Sequence, residues 1–152
     1  MRRLFVACCV LISACAQTPA GNSIPPAPEF INLVDPWPYP FSSAVRAGNL
    51  LFISGQIGTR IENGAPVLVT GGIDAEARQT LDNIRAIVAK AGTSMDRIVK
   101  CSVMLADMSE WPRFNQIYAS YFPGPKPARA AWGANGLALN ARVEVDCIAM
   151  TR

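Results

Sequence analysis

The sequence predicts an α+β domain, a sheet with helices on one side, on three observations. Val99 to Leu105 and Arg142 to Met150 alternate apolar and polar residues, the two-residue period of a half-buried strand. Two segments, opening at Asp74 and Ser109, repeat apolar residues every three or four positions, the period of an amphipathic helix. The two kinds of segment alternate over roughly 120 residues, enough for one domain with its own core and too few for two.

The start of the chain reads as a lipoprotein export signal, the plainer alternatives being an ordinary secretory signal with a chance cysteine or a buried N-terminal strand. Arg2 and Arg3 form a positive start, and Leu4 to Ile12 is an apolar run too short to span a ~30 Å hydrocarbon core. It ends in Ile12-Ser13-Ala14-Cys15, an order that resembles the lipobox of bacterial lipoproteins, in which the cysteine thiol receives a diacylglyceryl group. Residues 1–15 are therefore expected to be the signal with its lipidated Cys15. Residues 16–29, rich in Pro and Ala, read as an extended tether, and residues 30–152 as the domain. Gln17, where an aspartate is absent, favours sorting to the outer membrane of a Gram-negative cell. The full chain carries 14 Lys and Arg against 11 Asp and Glu. Without Arg2 and Arg3 the balance is near neutral, which gives no argument for nucleic acid.

Within the domain, Phe30 to Val34 reads as an edge strand, and Ala44 to Arg46 with Leu50 to Ser54 as a hairpin turned at Gly48-Asn49. Ala65 to Val69 is a short strand. Asp74 is expected to cap a helix whose Ala77, Leu81, Ile84, Val88 and Ala91 share one face, ended by Gly92. Val99 to Leu105 follows, with Cys101, Val103 and Leu105 on one face and Lys100, Ser102 and Met104 on the other. Ser109 is expected to cap a second helix to about Phe122, with Trp111, Phe114, Ile117 and Tyr121 at helical spacing and Pro112 tolerated in its first turn. Arg129 to Gly133 and Arg142 to Met150 complete the strands. In the last, Val143, Val145, Cys147 and Ala149 face one way and Arg142, Glu144 and Asp146 the other, where three charges need water, a cleft or a partner.

Of five cysteines, Cys8 and Cys9 leave with the signal and Cys15 goes to lipid. An oxidising compartment would permit Cys101 and Cys147 to join. Both sit among apolar strand residues, where a free buried cysteine is ordinary, and buried thiols are the expectation. Two cysteines without histidine speak against a structural zinc site.

The chain has no histidine. That removes Ser-His-Asp and Cys-His catalysis and histidine-ligated metals. There is also no phosphate-binding Walker loop, dinucleotide fingerprint or nucleophile elbow. Proton transfer is left to a carboxylate, Tyr, Lys or water. Two residues stand out. Arg129, opening a strand after a proline-rich loop, can offer its planar fork to a carboxylate. Glu144, on the polar face of the last strand, can serve as base for a water. The plainer alternatives are a solvated or salt-bridged Arg129, and a Glu144 that only pairs with Arg142.

Several segments carry a family resemblance. Ala47-Gly48-Asn49-Leu50-Leu51-Phe52-Ile53-Ser54-Gly55-Gln56-Ile57 resembles the opening hairpin of the Rid family, the YjgF-type reactive-intermediate deaminases. Gly71-Gly72-Ile73 with Ala77 to Ile84 is similar to its first helix, and Val99 to Val103 with Leu105-Ala106-Asp107-Met108 to the strand and turn that follow. Asn115 and Tyr118 match its second helix, Pro127-Ala128-Arg129 its signature, and Arg142 to Ala149 its final strand.

The resemblance implies a chorismate-mutase-like mixed sheet with two helices on one face, assembled as a homotrimer with its clefts between subunits. It implies hydrolysis of reactive 2-enamine/2-imine acids of the 2-aminoacrylate type to 2-keto acids and ammonia, with no cofactor and no metal. Arg129 would clamp the substrate carboxylate and Glu144 would orient or activate the attacking water. Gly55 and the backbone at Ala131 would line the pocket, and Asn115 would support the cleft. Phe41 stands where many active members have a tyrosine, Ala131 where a cysteine is common, and the loop Pro123 to Lys126 is a few residues short. These departures suggest a divergent subgroup. The alternatives are a non-catalytic trimer binding small metabolites or proteins and, third, an endoribonuclease, for which a basic patch is missing.

Overall fold

A computed structural model of the chain describes residues 26–35 and 39–151. Cys15 and the export signal lie outside the described residues, as does most of the tether. Six strands form one sheet: β1 (Glu29–Ile31), β2 (Ala44–Ala47), β3 (Leu50–Ile57), β6 (Ile98–Leu105), β7 (Ala128–Gly133) and β8 (Val143–Met150), in the order β1-β2-β3-β8-β6-β7. A separate ribbon pairs β4 (Thr59–Glu62) with β5 (Ala65–Leu68). Helices α1 (Gly72–Lys90) and α2 (Trp111–Tyr121) supply the second layer. Among the described residues only β6 and β7 run parallel, because the connection between them is the crossover helix α2. The predicted α+β class, with two helices on a sheet, is the observed one.

Local chemistry sets most boundaries. The β2–β3 turn rests on Gly48 at φ +59°. The β4–β5 ribbon turns at Asn63 and Gly64, with φ of 50° and 80°, the pairing that a two-residue hairpin favours. The short strand expected at Ala65 to Val69 is β5, and sequence reading missed its partner β4, for which the Asn-Gly dipeptide was the available signal. The edge strand β1 is shorter and earlier than Phe30 to Val34.

Helix α1 begins two residues before Asp74, after Gly71 at φ +119°. Asp74 is not its cap. It lies in the first turn and pairs with Arg113 of α2, whose Nε donates to Oδ1 at 2.6 Å. The helix ends as expected: Gly92 has φ +72°, and the N–H groups of Gly92 and Thr93 return to the carbonyls of Ala89 and Val88 at 3.0 and 2.9 Å. Ser109 does not cap the second helix. The Asp107 carboxylate accepts from Ser109 N at 2.8 Å and starts a 3-10 turn at Met108 that runs into α2.

The core lies between helices and sheet. Leu81, Ile84, Ile87 and Val88 of α1 and Phe114, Ile117 and Tyr118 of α2 meet Leu51, Ile53, Val103, Leu105, Val143, Val145 and Ala149. The predicted strand faces are the observed ones. The expectation of free thiols is corrected: Cys101 and Cys147 form a disulfide. They stand directly opposite each other in the β6–β8 register, on the core face. Each strand's alternation places its cysteine on that face, and the register between strands decides that they meet.

Among the described residues no layer covers the other face of the sheet. Phe30, Phe52 and Trp132 are 69, 44 and 45 % exposed on it. Among the described residues no helix is long and apolar enough to cross a membrane.

Candidate active site

Glu144 projects from β8 on this open face, beside Met104 of β6 and Ile57 of β3. Its carboxylate lies on the backbone of Gly55. The β3–β8 register shifts between Ile53 and Gln56, so Gly55 sits in an irregular stretch of β3. Gln56 Nε2 donates to the carbonyls of Ser54 and Gly55 at 2.9 and 3.1 Å and holds that irregularity in place. A Cβ at residue 55 would fall 2.0 Å from Glu144 Oε1, so only glycine admits the carboxylate there.

Burial first, and then the like charge of Asp146, raise the pKa of Glu144 above the usual carboxylate value. Arg142 does not neutralise it. The Arg142 Nε donates to both Glu110 oxygens at 2.7 and 2.9 Å, across to the turn before α2. Among the described residues no cation pairs with Glu144. The start of β8 is instead fixed by Glu76, buried on α1, whose Oε2 accepts from Arg142 N at 2.7 Å. Desolvation raises the Glu76 pKa, against the lowering effects of that hydrogen bond and of the Arg142 charge.

Phe41 belongs to the same neighbourhood. The Ser54 hydroxyl donates to Ser42 O at 2.7 Å, and Ser54 N donates to Ser43 O at 3.0 Å. These bonds tie the segment after Phe41 to the strand just before Gly55. The Phe41 ring stacks on Tyr39 with centroids 5.3 Å apart.

Arg129 is placed differently. It stands opposite Cys101 in the parallel β6–β7 register, and therefore on the helix side of the sheet. Its guanidinium lies 4.8 Å from the ring centroid of Trp111 and 4.6 Å from that of Tyr118. Among the described residues no carboxylate pairs with it. Asn115 sits between the two aromatic residues on the same stripe of α2. Its Oδ1 is buried without a hydrogen-bond partner among the described residues, as is the Tyr118 hydroxyl. Burial pushes the Tyr118 pKa up to about 12, with the Arg129 charge acting in the opposite direction. Ala131 follows two residues on from Arg129, on the same side of β7, and packs against the core.

The fold thus collects the predicted residues into two groups. Gly55 and Glu144 are in contact, with the segment after Phe41 bonded to Ser54 next to Gly55, and Arg129, Asn115 and Ala131 form the other group. Arg129 and Glu144 lie on opposite faces of the sheet, with β6 between the strands that carry them. That is ~10 Å of sheet plus its thickness. A small 2-imino acid cannot touch both groups in one chain. Sequence reading missed Glu76, and it missed that Trp111 and Tyr118 wall Arg129. The signal for the latter was their seven-residue spacing, two helical turns, with Asn115 between. Among the described residues no group of three or more Cys, Asp or Glu side chains could hold a metal ion.

Residues 36–151 match the family described as Endoribonuclease L-PSP. A mouse protein named 2-iminobutanoate/2-iminopropanoate deaminase is 41 % identical over 111 residues, 73 % of this chain and 81 % of that protein. An Arabidopsis thaliana protein named Reactive Intermediate Deaminase A, chloroplastic, is 39 % identical over 110 residues, 72 % of this chain and 58 % of that protein. The crystal structure of yeast Mmf1 superposes with a TM-score of 0.76 at 34 % identity, covering 83 % of this chain and all of that one. The chain belongs to the Endoribonuclease L-PSP family, and within it to the Rid, YjgF-type proteins that its motifs resemble.

Proposed function

We propose that the chain hydrolyses reactive 2-imino and 2-enamino acids to 2-keto acids and ammonia, in clefts formed between copies of itself. The observation that carries this reading is the pair of uncompensated charges, Arg129 and Glu144, on opposite faces of one sheet. A second copy that sets its β7 edge against the open face would bring Arg129 of one copy to Glu144 of the other. The exposed Phe30, Phe52 and Trp132 on that face support such an assembly. The resemblance gives its number as three.

In that cleft Arg129 holds the substrate carboxylate with its planar fork. The protonated imine is already electrophilic at C2. Glu144, ionised, takes a proton from a water as its oxygen bonds to C2, and the C=N electron pair moves to nitrogen. The amine of the resulting carbinolamine takes up a proton, the C–N bond breaks and ammonia departs. The hydroxyl proton is lost as the ketone forms. Positioning and one polarised water supply the catalysis, with the attack made effectively intramolecular.

The mature protein is proposed to be exported and lipid-anchored at Cys15, in the outer membrane. The order Arg2-Arg3, Leu4 to Ile12 and Ser13-Ala14-Cys15 supports this, and so does the Cys101–Cys147 disulfide, a bond that persists in oxidising compartments. Intact mass of the membrane-extracted protein, with and without Cys15→Ser, tests the anchor.

The activity is tested by generating 2-iminopropanoate in situ and following its loss. Wild type is expected to accelerate hydrolysis and Arg129→Ala to lose most of that acceleration. No acceleration, or equal acceleration by both proteins, would overturn the reading. A second reading, a trimer that binds 2-keto or 2-imino acids without turning them over, draws on Phe41, which brings no hydroxyl to the cleft. It predicts binding of a 2-keto acid with no change in hydrolysis rate.

A further inference from the structure

Arg129 is held against aromatic rings and not by a carboxylate. The guanidinium carbon lies over the Trp111 and Tyr118 rings of α2, 4.8 and 4.6 Å from their centroids. A guanidinium stacks on aromatic faces while its five N–H donors point outward in its own plane, which an ammonium cannot do. The usual way to fix a functional arginine, a neighbouring carboxylate, would occupy the fork and cancel the charge that substrate needs. Among the described residues none is present. Tyr118 is 5 % exposed and its ring packs between Phe114 and Phe122, with centroids 5.7 and 4.7 Å away, so that wall is set by the core. Trp111 is the outer wall, in the first turn of α2 behind the 3-10 turn that Asp107 starts.

We propose that Trp111 and Tyr118 are positioning residues for the deamination: they clamp the Arg129 guanidinium between their rings so that its hydrogen-bonding edge is offered, rigid and unneutralised, to the substrate carboxylate. This rests on the deaminase reading for the identity of the substrate. The clamp itself concerns any small 2-oxo or 2-imino carboxylate. Tight arginine geometry serves ground state and transition state alike, because the carboxylate does not change during hydrolysis. Loosening it therefore acts on KM.

The test uses the full assembled chain with Trp111→Phe and Trp111→Leu, each checked for an unchanged melting profile. Steady-state hydrolysis of 2-iminopropanoate, calorimetric binding of 2-oxobutanoate, and the side-chain Nε–H signal of 15N-labelled Arg129 (identified by its loss in Arg129→Lys) are measured on each. Trp111→Leu is expected to raise KM and the 2-oxobutanoate Kd about tenfold with kcat within about threefold. It should also drop the Arg129 Nε–H order parameter from a rigid value to below about 0.6. Trp111→Phe, which keeps an aromatic face, is expected to restore both. If Trp111→Phe is as impaired as Trp111→Leu, the ring is acting as filler and the clamp is wrong. An unchanged Kd and order parameter in Trp111→Leu would equally overturn it. If wild type turns over no imine, the deaminase reading fails while the binding and order-parameter arms still decide the clamp.

Discussion

Glu144 and Gly55 are in direct contact: the carboxylate of β8 occupies the space where any other residue of β3 would carry its Cβ, 2.0 Å from Oε1. The carboxylate's position is thus set by an absence on the neighbouring strand. Gly55→Ala is expected to push Glu144 out of place and cut kcat for 2-iminopropanoate by roughly a hundredfold, the cost of about 1 Å of misplacement. The melting temperature should shift little, because the displaced group faces the open side of the sheet. Paired kinetics and thermal melts of this variant check both halves of the expectation.

The environment of Glu144 also dictates a pH dependence. Its burial, helped by the Asp146 charge, raises its pKa, so the carboxylate is protonated over a wider acidic range than an ordinary glutamate. A base must be ionised to accept a proton. The kcat/KM profile is therefore expected to rise with pH through an ionisation lying above the usual carboxylate value, and to flatten beyond it. Glu144→Gln should abolish that limb and lower kcat by about 10²–10⁴, the range for losing a general base, while 2-oxobutanoate still binds through Arg129.

Glu76 carries a separate pH dependence, of stability. Its pKa in the folded chain is raised, chiefly by desolvation. The folded state therefore holds this proton more tightly than the unfolded state. The stability that goes with it is fully present below the unfolded glutamate pKa and is lost as pH rises through the folded one. Glu76→Gln keeps an oxygen acceptor for Arg142 N and removes the charge. Thermal melts should find it more stable than wild type at pH 7, with the difference closing towards pH 4.

The Cys101–Cys147 bridge ties β6 to β8 across 46 residues of sequence. Replacing both cysteines by alanine is expected to cost about 2–4 kcal/mol of unfolding free energy in urea titrations, chiefly by freeing the unfolded chain. Since both sulfurs are buried, reductant should act on the native protein only as fast as it opens locally.

What is legible in the sequence follows the reach of each interaction. Alternation along β6 and β8 fixes which residues face the core, and Val103, Leu105, Val143 and Val145 are all buried as read. Such faces are local properties. The disulfide depends on register between strands 46 residues apart, which no local period encodes. Asp107 caps a 3-10 turn ahead of α2 by accepting from Ser109 N–H, which places Ser109 inside that turn and not at a helix start. Arg142 pairs with Glu110, far off in sequence, and leaves its neighbour Glu144 uncompensated. Arg129 and Glu144 were legible by residue type and setting. Their placement on opposite faces was not, because it depends on β7 pairing parallel to β6 and β8 antiparallel to it.

That opposition gives the sharpest test of how the site is built. Arg129→Ala and Glu144→Gln each remove one half of the charge pair, and each is expected to be inactive alone. If every cleft takes Arg129 from one copy and Glu144 from the next, a mixed assembly contains intact clefts wherever a Glu144→Gln copy presents its Arg129 to an Arg129→Ala copy. Random mixing at equal amounts makes ~1/4 of the clefts intact in a cyclic assembly. Dissociating the two variants together, reassembling them and measuring 2-iminopropanoate hydrolysis should therefore recover about a quarter of wild-type activity. If both residues came from the same copy, every cleft would lack one of them and nothing would return. The same experiment on separately reassembled variants fixes the baseline. Analytical ultracentrifugation of each sample checks that the assembly is the one seen for wild type.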